Sequence, residues 1–588
     1  MADPTPSMLL DKGDTAYVLV CVTFVFLMAP ALGFFYAGLA RAKNALSLMY
    51  LTVLSVAVVS FQWYLIGYSL TFSNTGGVFI GDSAHFLLRG VGELPQIASH
   101  TIPASAFMIF QAMFACLTPA LAFGSAAERM SLGPAMLFIF VWTTLVYDII
   151  TYWVWSPNGW LAVMGVMDYA GGITVHISSG LAAVAYAVVL GKRRDYNQNV
   201  NTPHNVSFVF LGMALLWFGW FAFNAGSALG ANARSVNSLI DTHLSGCVGA
   251  IVWVLMDYRH TRKWSIIGLC TGAVAGLATI TPGSGFVSPS SSLAFGALGS
   301  IVCNLAVQYK HKYRFDDALD VFAVHYIGGL VGLLLTGIFA QRSIIALGYP
   351  DDTPWDSLPK GGWLDGHWMQ VPIQLAAIGS VSAWSFVVTY IILIVINLTP
   401  FLRLRLNDED ELIGTDWAEM GERAYGYLPF EEEQLGQNCS ASGSSDVSAS
   451  PQATHGGDSA AQPEKKKSSL GHFRRFLKAN NDRAILNGLP NLVEQPAIGY
   501  ENKEVAVVNL NNLSQPESNV QVGRKHDSQH LQEKEDLPQL IRVKRPTPTE
   551  SSATTTTTTT QQPHPQSQPI TDQSADPTPE SSKSVPKS

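Results

Sequence analysis

Long apolar runs parted by short polar stretches fill the chain as far as about Leu406. Eleven of them approach the ~20 residues that a helix needs to cross a bilayer. They fall at roughly 15–38, 47–70, 104–124, 132–153, 169–190, 206–226, 239–257, 264–281, 290–309, 319–340 and 373–401. Beyond about Phe430 the pattern stops, and Ser, Thr, Pro, Gln, Asn and Lys prevail. Such a composition buries too little apolar surface to offset the entropy of ordering. The pattern predicts an all-α polytopic membrane protein: a transmembrane domain over 1–402, a cytoplasmic regulatory segment at 403–434 and a disordered cytoplasmic tail at 435–588.

Charge turns this pattern into a topology. One alternating set of loops holds fourteen basic residues (Arg41, Lys43; Arg129; Lys192, Arg193, Arg194; Arg259, Arg262, Lys263; Lys310, Lys312, Arg314; Arg403, Arg405). The other set holds five, Lys12, Arg89, Arg234, Arg342 and Lys360. Basic loops stay in the cytoplasm, so the N-terminus is expected outside and the long tail inside. The residues before the first run carry three aspartates and one lysine, which is not the basic flank of a cleavable signal. The averages, 48% hydrophobic, 14% charged and a net charge of −8, blend two unlike regions and hold no nucleic-acid signature. Five of the six cysteines sit in apolar runs, without the spacing of a zinc site or disulfide framework.

An odd number of spans admits an inverted repeat: spans one to five, an upside-down copy in spans six to ten, and one extra helix. Two stretches support it. Asp168 precedes His176 by eight positions at the start of span five, and Asp317 precedes His325 by eight at the start of span ten. Phe35-Tyr36-Ala37-Gly38 in span one and Phe223-Asn224-Ala225-Gly226 in span six echo each other in the same register. Eight residues of helix is about 12 Å, so both histidines are expected to converge at mid-membrane, where an ionisable group is costly and marks function. The glycines around them (Gly171, Gly172, Gly180, Gly328, Gly329, Gly332) are expected chiefly to let helices approach closely.

A path lined by two neutral imidazoles among Phe, Leu, Ile and Val is too apolar to carry a hydrated cation cheaply. It admits a small neutral hydrogen-bonding molecule, and two imidazoles in contact can relay a proton. The bland alternative is that each histidine simply bonds a neighbouring helix. A metal site lacks a third ligand at depth. His243 reads as a mouth residue or an incidental one. Tyr152-Trp153-Val154-Trp155 ends span four at the outer face, where rings can hold a cation; Trp153 and Trp160 read as an interfacial aromatic belt. Ser178 and Ser179 fall in no elbow or triad pattern, so an intramembrane hydrolase is disfavoured and no enzyme activity or cofactor is expected.

Phe110-Gln111-Ala112-Met113-Phe114-Ala115-Cys116, Ala127-Glu128-Arg129, Asp168-Tyr169-Ala170-Gly171-Gly172 running on to His176 and Gly191-Lys192-Arg193, Gly219-Trp220-Phe221-Ala222-Phe223-Asn224-Ala225-Gly226-Ser227, and Asp320-Val321-Phe322-Ala323-Val324-His325 together resemble the ammonium transporter, methylammonium permease and Rhesus protein family. The resemblance covers about residues 15 to 430. Glu411-Leu412-Ile413-Gly414-Thr415-Asp416, Gly421-Glu422-Arg423-Ala424-Tyr425 and the polar tail are similar to the fungal branch. It implies eleven helices, a homotrimer in the plasma membrane with one pore per subunit, and ammonium as the substrate. By motif position Trp155 and Ser227 resemble the external recruitment site, Phe114 and Phe223 the stacked rings that close the pore, and Asp168 the acid that supports that site. His176 and His325 match the twin histidines; keeping both resembles the high-affinity, nutrient-sensing kind.

A second class of function, a nitrogen-sensing receptor, is motivated by the tail. In Lys465–Lys478, residues Leu470, Phe473 and Leu477 share a helical face beside dense positive charge. Such a segment can rest on an anionic leaflet and be released by a kinase acting at Ser468 or Ser469. A plain solvated charge run is the alternative.

Overall fold

The computed structural model describes residues 10–425, apart from 97, 98, 195 and 197–202. The expected disordered tail, the Lys465–Lys478 segment and residues 426–434 of the regulatory segment lie outside the described residues. Ten helices are long and apolar enough to cross a membrane: α1 (Lys12–Leu39), α2 (Ala42–Phe72), α3 (Ala104–Ala126), α4 (Leu132–Met164), α5 (Gly172–Leu190), α6 (Val206–Ala228), α7 (Ala233–Thr261), α9 (Pro289–Gln308), α10 (Phe322–Phe339) and α11 (Gln370–Leu398). The eighth predicted span is the shorter α8, Ile266–Ile280. At 15 residues it is about 22 Å long, and it gives way to turns through Pro282 and Gly283. The described residues thus hold ten helices of crossing length and one of fifteen residues, rather than eleven of equal standing.

Helix starts follow the sequence. Asp11, Asn205, Asn232 and Ser265 accept from backbone N–H groups in the first turns of α1, α6, α7 and α8, as short polar side chains at N-caps do. The first regular turns of α2 and α4 have no cap of their own. Carboxylates from the segment after α11 serve them instead. Asp416 accepts from Leu46 N (2.9 Å) and Ser47 N (2.8 Å), and Glu419 accepts from Leu132 N (2.9 Å).

Close approaches trace the repeat. A Cβ on Gly38 would lie 2.6 Å from Val209 N, one on Gly212 2.4 Å from Phe35 N, and one on Gly219 2.3 Å from the Met28 side chain. Numbers falling along α1 as they rise along α6 mean that the two run antiparallel at near-backbone contact, as small residues allow. The same holds for α5 and α10. A Cβ on Gly180 would lie 2.6 Å from Tyr326 N, and one on Gly329 2.8 Å from Gly172 O. Each glycine stands four residues past a histidine, so the two contacts are equivalent and bring the histidine-bearing turns together. Both turns are π-helical, Gly172–Ile177 and Phe322–Tyr326.

Candidate functional site

Two helices enter this centre from opposite faces. At the entry of α5 the Asp168 carboxylate accepts from Gly171 N (3.0 Å), Gly172 N (2.6 Å), Ile173 N (2.7 Å) and Thr174 N (3.2 Å). Those are donors that a helix start leaves without an internal partner. Gly171 sits at φ +117°, which a side chain rarely adopts. Asp168 therefore acts as a cap that fixes the register of α5. Its backbone carbonyl accepts from the Trp155 indole Nε1 at 2.8 Å. That bond orients the indole, which stands edge-on to Phe114 (ring centres 5.9 Å apart, 84° between planes). Trp155 can be held there because Ser156, in extended conformation, interrupts α4 directly after it.

Phe114 of α3 and Phe223 of α6 stack with centres 4.2 Å apart and 25° between planes, and both are wholly buried. One turn past Phe223, Ser227 donates its hydroxyl to the Phe223 carbonyl (2.9 Å). With the proton committed, the Ser227 oxygen offers lone pairs and is suited to a donor-rich guest. Trp155, Ser227, Phe114 and Phe223 thus form one group near the face opposite the basic loops.

Beyond the ring pair, His176 Nδ1 lies 3.2 Å from His325 Nδ1. In such a pair one nitrogen must carry the hydrogen and the other accept it, so the two rings share a proton position. Among the described residues His176 Nε2 has no partner. Both rings line a cavity of about 20 Å³ whose other walls are chiefly Leu, Phe and Val side chains, room for about one water-sized guest. Trp220 lies 5.6 Å from His176 and 25° from coplanar, with its Nε1 donating to Thr281 (3.0 Å). Trp220 carries no assigned role in the Gly219–Ser227 motif; its place three residues before Phe223, on the same helical face, is the signal that marks it.

Past His325 a larger cavity, about 160 Å³, opens toward the basic loops and is lined by Arg41, Glu128, Arg193, Lys310 and Asp320 among others. Its charges are paired. Glu128 meets Arg41 (2.8 Å) and Arg193 (2.9 Å), Arg193 meets Asp316 (2.8 Å), and Lys310 meets Asp320 (2.8 Å). Burial pushes the Glu128 carboxyl up, but Arg41 and Arg193 outweigh it and hold the group below the usual range. Tyr36 lines both cavities, with its hydroxyl donating to Leu121 O at 2.9 Å.

Of the seven sequence-assigned residues, His176, His325 and Phe223 line the small cavity, Phe114 and then Trp155 follow from Phe223 ring to ring, and Asp168 and Ser227 bond to Trp155 and Phe223. One further reading, that of Trp153, is corrected; those of His243 and the two serines gain detail. Trp153 is only 4% exposed, donates to Phe79 O (2.8 Å) and packs on Trp160 and Trp384; it is a packing residue, not a belt residue, because α11 covers it. His243 lies exposed between the Trp217 and Phe221 rings, off the pore. Ser178 and Ser179 donate to Thr174 O (2.5 Å) and Val175 O (2.6 Å) in their own helix.

A family model described as Ammonium Transporter Family matches residues 16–425. Ammonium transporter 1 of Schizosaccharomyces pombe is 48% identical over 423 residues, 72% of this chain and 84% of that one. Ammonium transporter MEP2 of Saccharomyces cerevisiae is 42% identical over 430 residues, 71% of this chain and 85% of that one. Among solved structures, Candida albicans Mep2 matches with a TM-score of 0.66 at 41% identity, covering 72% of this chain and 92% of that one.

Proposed function

The chain belongs to the Ammonium Transporter Family, and from that premise we propose that it takes ammonium into the cell across the plasma membrane, splitting the ion before it crosses. The basic face is cytoplasmic and the Trp155 face external, as the loop charges favour. Ammonium docks between the Trp155 ring and the Ser227 oxygen, where cation–π attraction contributes up to about 2 kcal/mol in a desolvated site. It gives up its proton there, and ammonia passes the Phe114–Phe223 stack. The proton follows through His176 and His325, so charge moves with each cycle. Potassium is rejected because it has no proton to lose and cannot donate a hydrogen bond. The subunit works in a homotrimer, as the resemblance implies.

One observation carries this reading: two histidines share a hydrogen bond in an apolar chamber fit for a single small molecule. Currents from purified protein on a supported membrane test it. Ammonium pulses should give current and potassium pulses none, and His176→Ala should lose that discrimination. Unchanged discrimination in His176→Ala, or caesium current through the unaltered protein, would overturn the reading.

A receptor role alongside transport is favoured by one further feature. Tyr425, just ahead of the tail, bonds His204 Nε2 (3.0 Å) and Asn205 Nδ2 (3.1 Å), and Asn205 caps α6. The last described residue on the way to the tail is thereby bonded to the start of a pore helix. Deleting 435–588 should impair growth signalling on ammonium while sparing transport; if both survive, the receptor role falls.

A further inference from the structure

Away from the pore, α4 buries a carboxyl that the transport reading does not use. Asp148 is fully buried and meets Gln62 of α2, whose Nε2 donates to Asp148 Oδ2 at 2.7 Å. That amide nitrogen spends its other hydrogen on Thr144 Oγ1 (3.0 Å). Thr71, the other side chain beside the carboxyl, donates its hydroxyl to Gly67 O (2.9 Å). The carboxyl thus meets one amide hydrogen outright, and the Thr71 hydroxyl within its reach is already committed to a backbone carbonyl. Asp148 Oδ1 and Gln62 Oε1 are both buried and both lack a partner. An ionised carboxylate held at bilayer depth by one amide donor is far from compensated. A single proton on Asp148 turns one of two unpartnered acceptors into a donor, which suits it to a reciprocal acid–amide pair with Gln62.

The backbone is built around this pair. A π-helical turn, Trp63–Gly67, begins directly after Gln62, and another, Thr143–Tyr147, ends directly before Asp148. Such turns locally widen a helix and cluster at functional sites. A Cβ on Gly67 would lie 2.4 Å from Gln62 Oε1, so glycine there makes room for the amide. From Asp148 the helix runs unbroken to Trp155, seven residues and about two turns on, hence on the same face. We propose that Asp148 carries a proton in its pairing with Gln62, and that this neutral link between α2 and α4 is a positioning element for the Trp155 ring. The inference rests on Trp155 serving ammonium recruitment.

The test compares methylammonium uptake and infrared spectra of the full chain in vesicles. Asp148→Asn supplies the same donor and acceptor without a charge, so uptake should stay within about twofold of the unaltered protein, whereas Asp148→Ala should raise KM about tenfold, the scale of a slightly misplaced group, with kcat little changed. A protonated-carboxyl stretching band should vanish in Asp148→Asn. Gln62→Glu with Asp148→Asn swaps the two groups and should bring the band back with uptake still within about twofold, which keeps the test decisive if Asp148→Ala fails to assemble. Asp148→Asn as impaired as Asp148→Ala, or no band lost, overturns the proposal. Trp155→Ala with KM unchanged overturns the recruitment reading instead, and is told apart because the Asp148 band persists.

Discussion

At the entry of α5 one carboxylate gathers four backbone N–H groups, while at the equivalent entry of α10 Asp317 accepts from Phe322 N (2.8 Å), with Val321 N close by, and among the described residues its Oδ1 has no partner. Three residues past each acid the chain takes a left-handed turn, at Gly171 (φ +117°) and at Asp320 (φ +61°). A Cβ at Gly171 would lie 2.7 Å from the Val175 side chain, so that turn tolerates only glycine. Asp320 accepts the strained conformation and pairs with Lys310. The two halves share a plan but divide the labour. The α5 entry is a rigid socket that also orients Trp155; the α10 entry is a charged, looser mouth beside a wide cavity.

Removing the acids should expose the difference most. Asp168→Ala strands four buried donors, each costing about 1–3 kcal/mol, whereas Asp317→Ala loses one cap bond at about 1 kcal/mol. Thermal unfolding in detergent should therefore drop far more for the first; equal losses would break the contrast.

Titration gives a subtler distinction. Burial, then the Asp320 charge, push Asp317 up to about 7, against about 3.9 unfolded. Its folded form thus binds a proton that the unfolded chain has lost, so its stabilising share is full below about pH 4 and fades as pH rises through about 7. Burial pushes Glu128 and Asp316 up too, but their arginine partners outweigh it and hold both low. Their contribution is present above about pH 4 and is lost as pH falls through the lowered values. Asp317→Asn should flatten the decline in unfolding temperature between about pH 4 and about pH 7; an unchanged slope would place the titration elsewhere.

The smallest effect is expected at Asp320→Gly. It relieves a left-handed residue, about 1–2 kcal/mol, and forfeits a half-exposed ion pair worth about 0–1 kcal/mol. Stability should be unchanged or about 1 kcal/mol higher, and a clear loss would mean that Lys310–Asp320 matters more than its exposure implies.

Much of the architecture was legible because apolar length is a local property. The predicted run 206–226 became Val206–Ala228, and 290–309 became Pro289–Gln308. The paired Asp and His spacings picked out both histidines, but the helices begin only at Gly172 and Phe322, so each eight-residue interval is a turn plus about one helical turn rather than the expected ~12 Å of helix. Contacts between distant segments were not legible. No local pattern says that Trp155 bonds the Asp168 carbonyl, that Trp220 lies along His176, or that Gln62 meets Asp148 across 86 positions. The shortness of α8 escaped because Trp264, Ser265 and Thr281 extend the apolar-looking run 264–281 beyond the helix, which is Ile266–Ile280. Trp153 was misread because its cover, Trp384, comes from the last helix.

The carboxylates that finish α2 and α4 have a consequence for biogenesis. Asp416 stands 370 positions beyond the Leu46 amide it serves, and Glu419 stands 287 beyond Leu132. A ribosome that has already delivered both helices to the translocon has yet to synthesise the side chains that complete them. Nascent chains cut short before Asp416 leave those amides open, which gives a quality-control protease a ready mark of unfinished work.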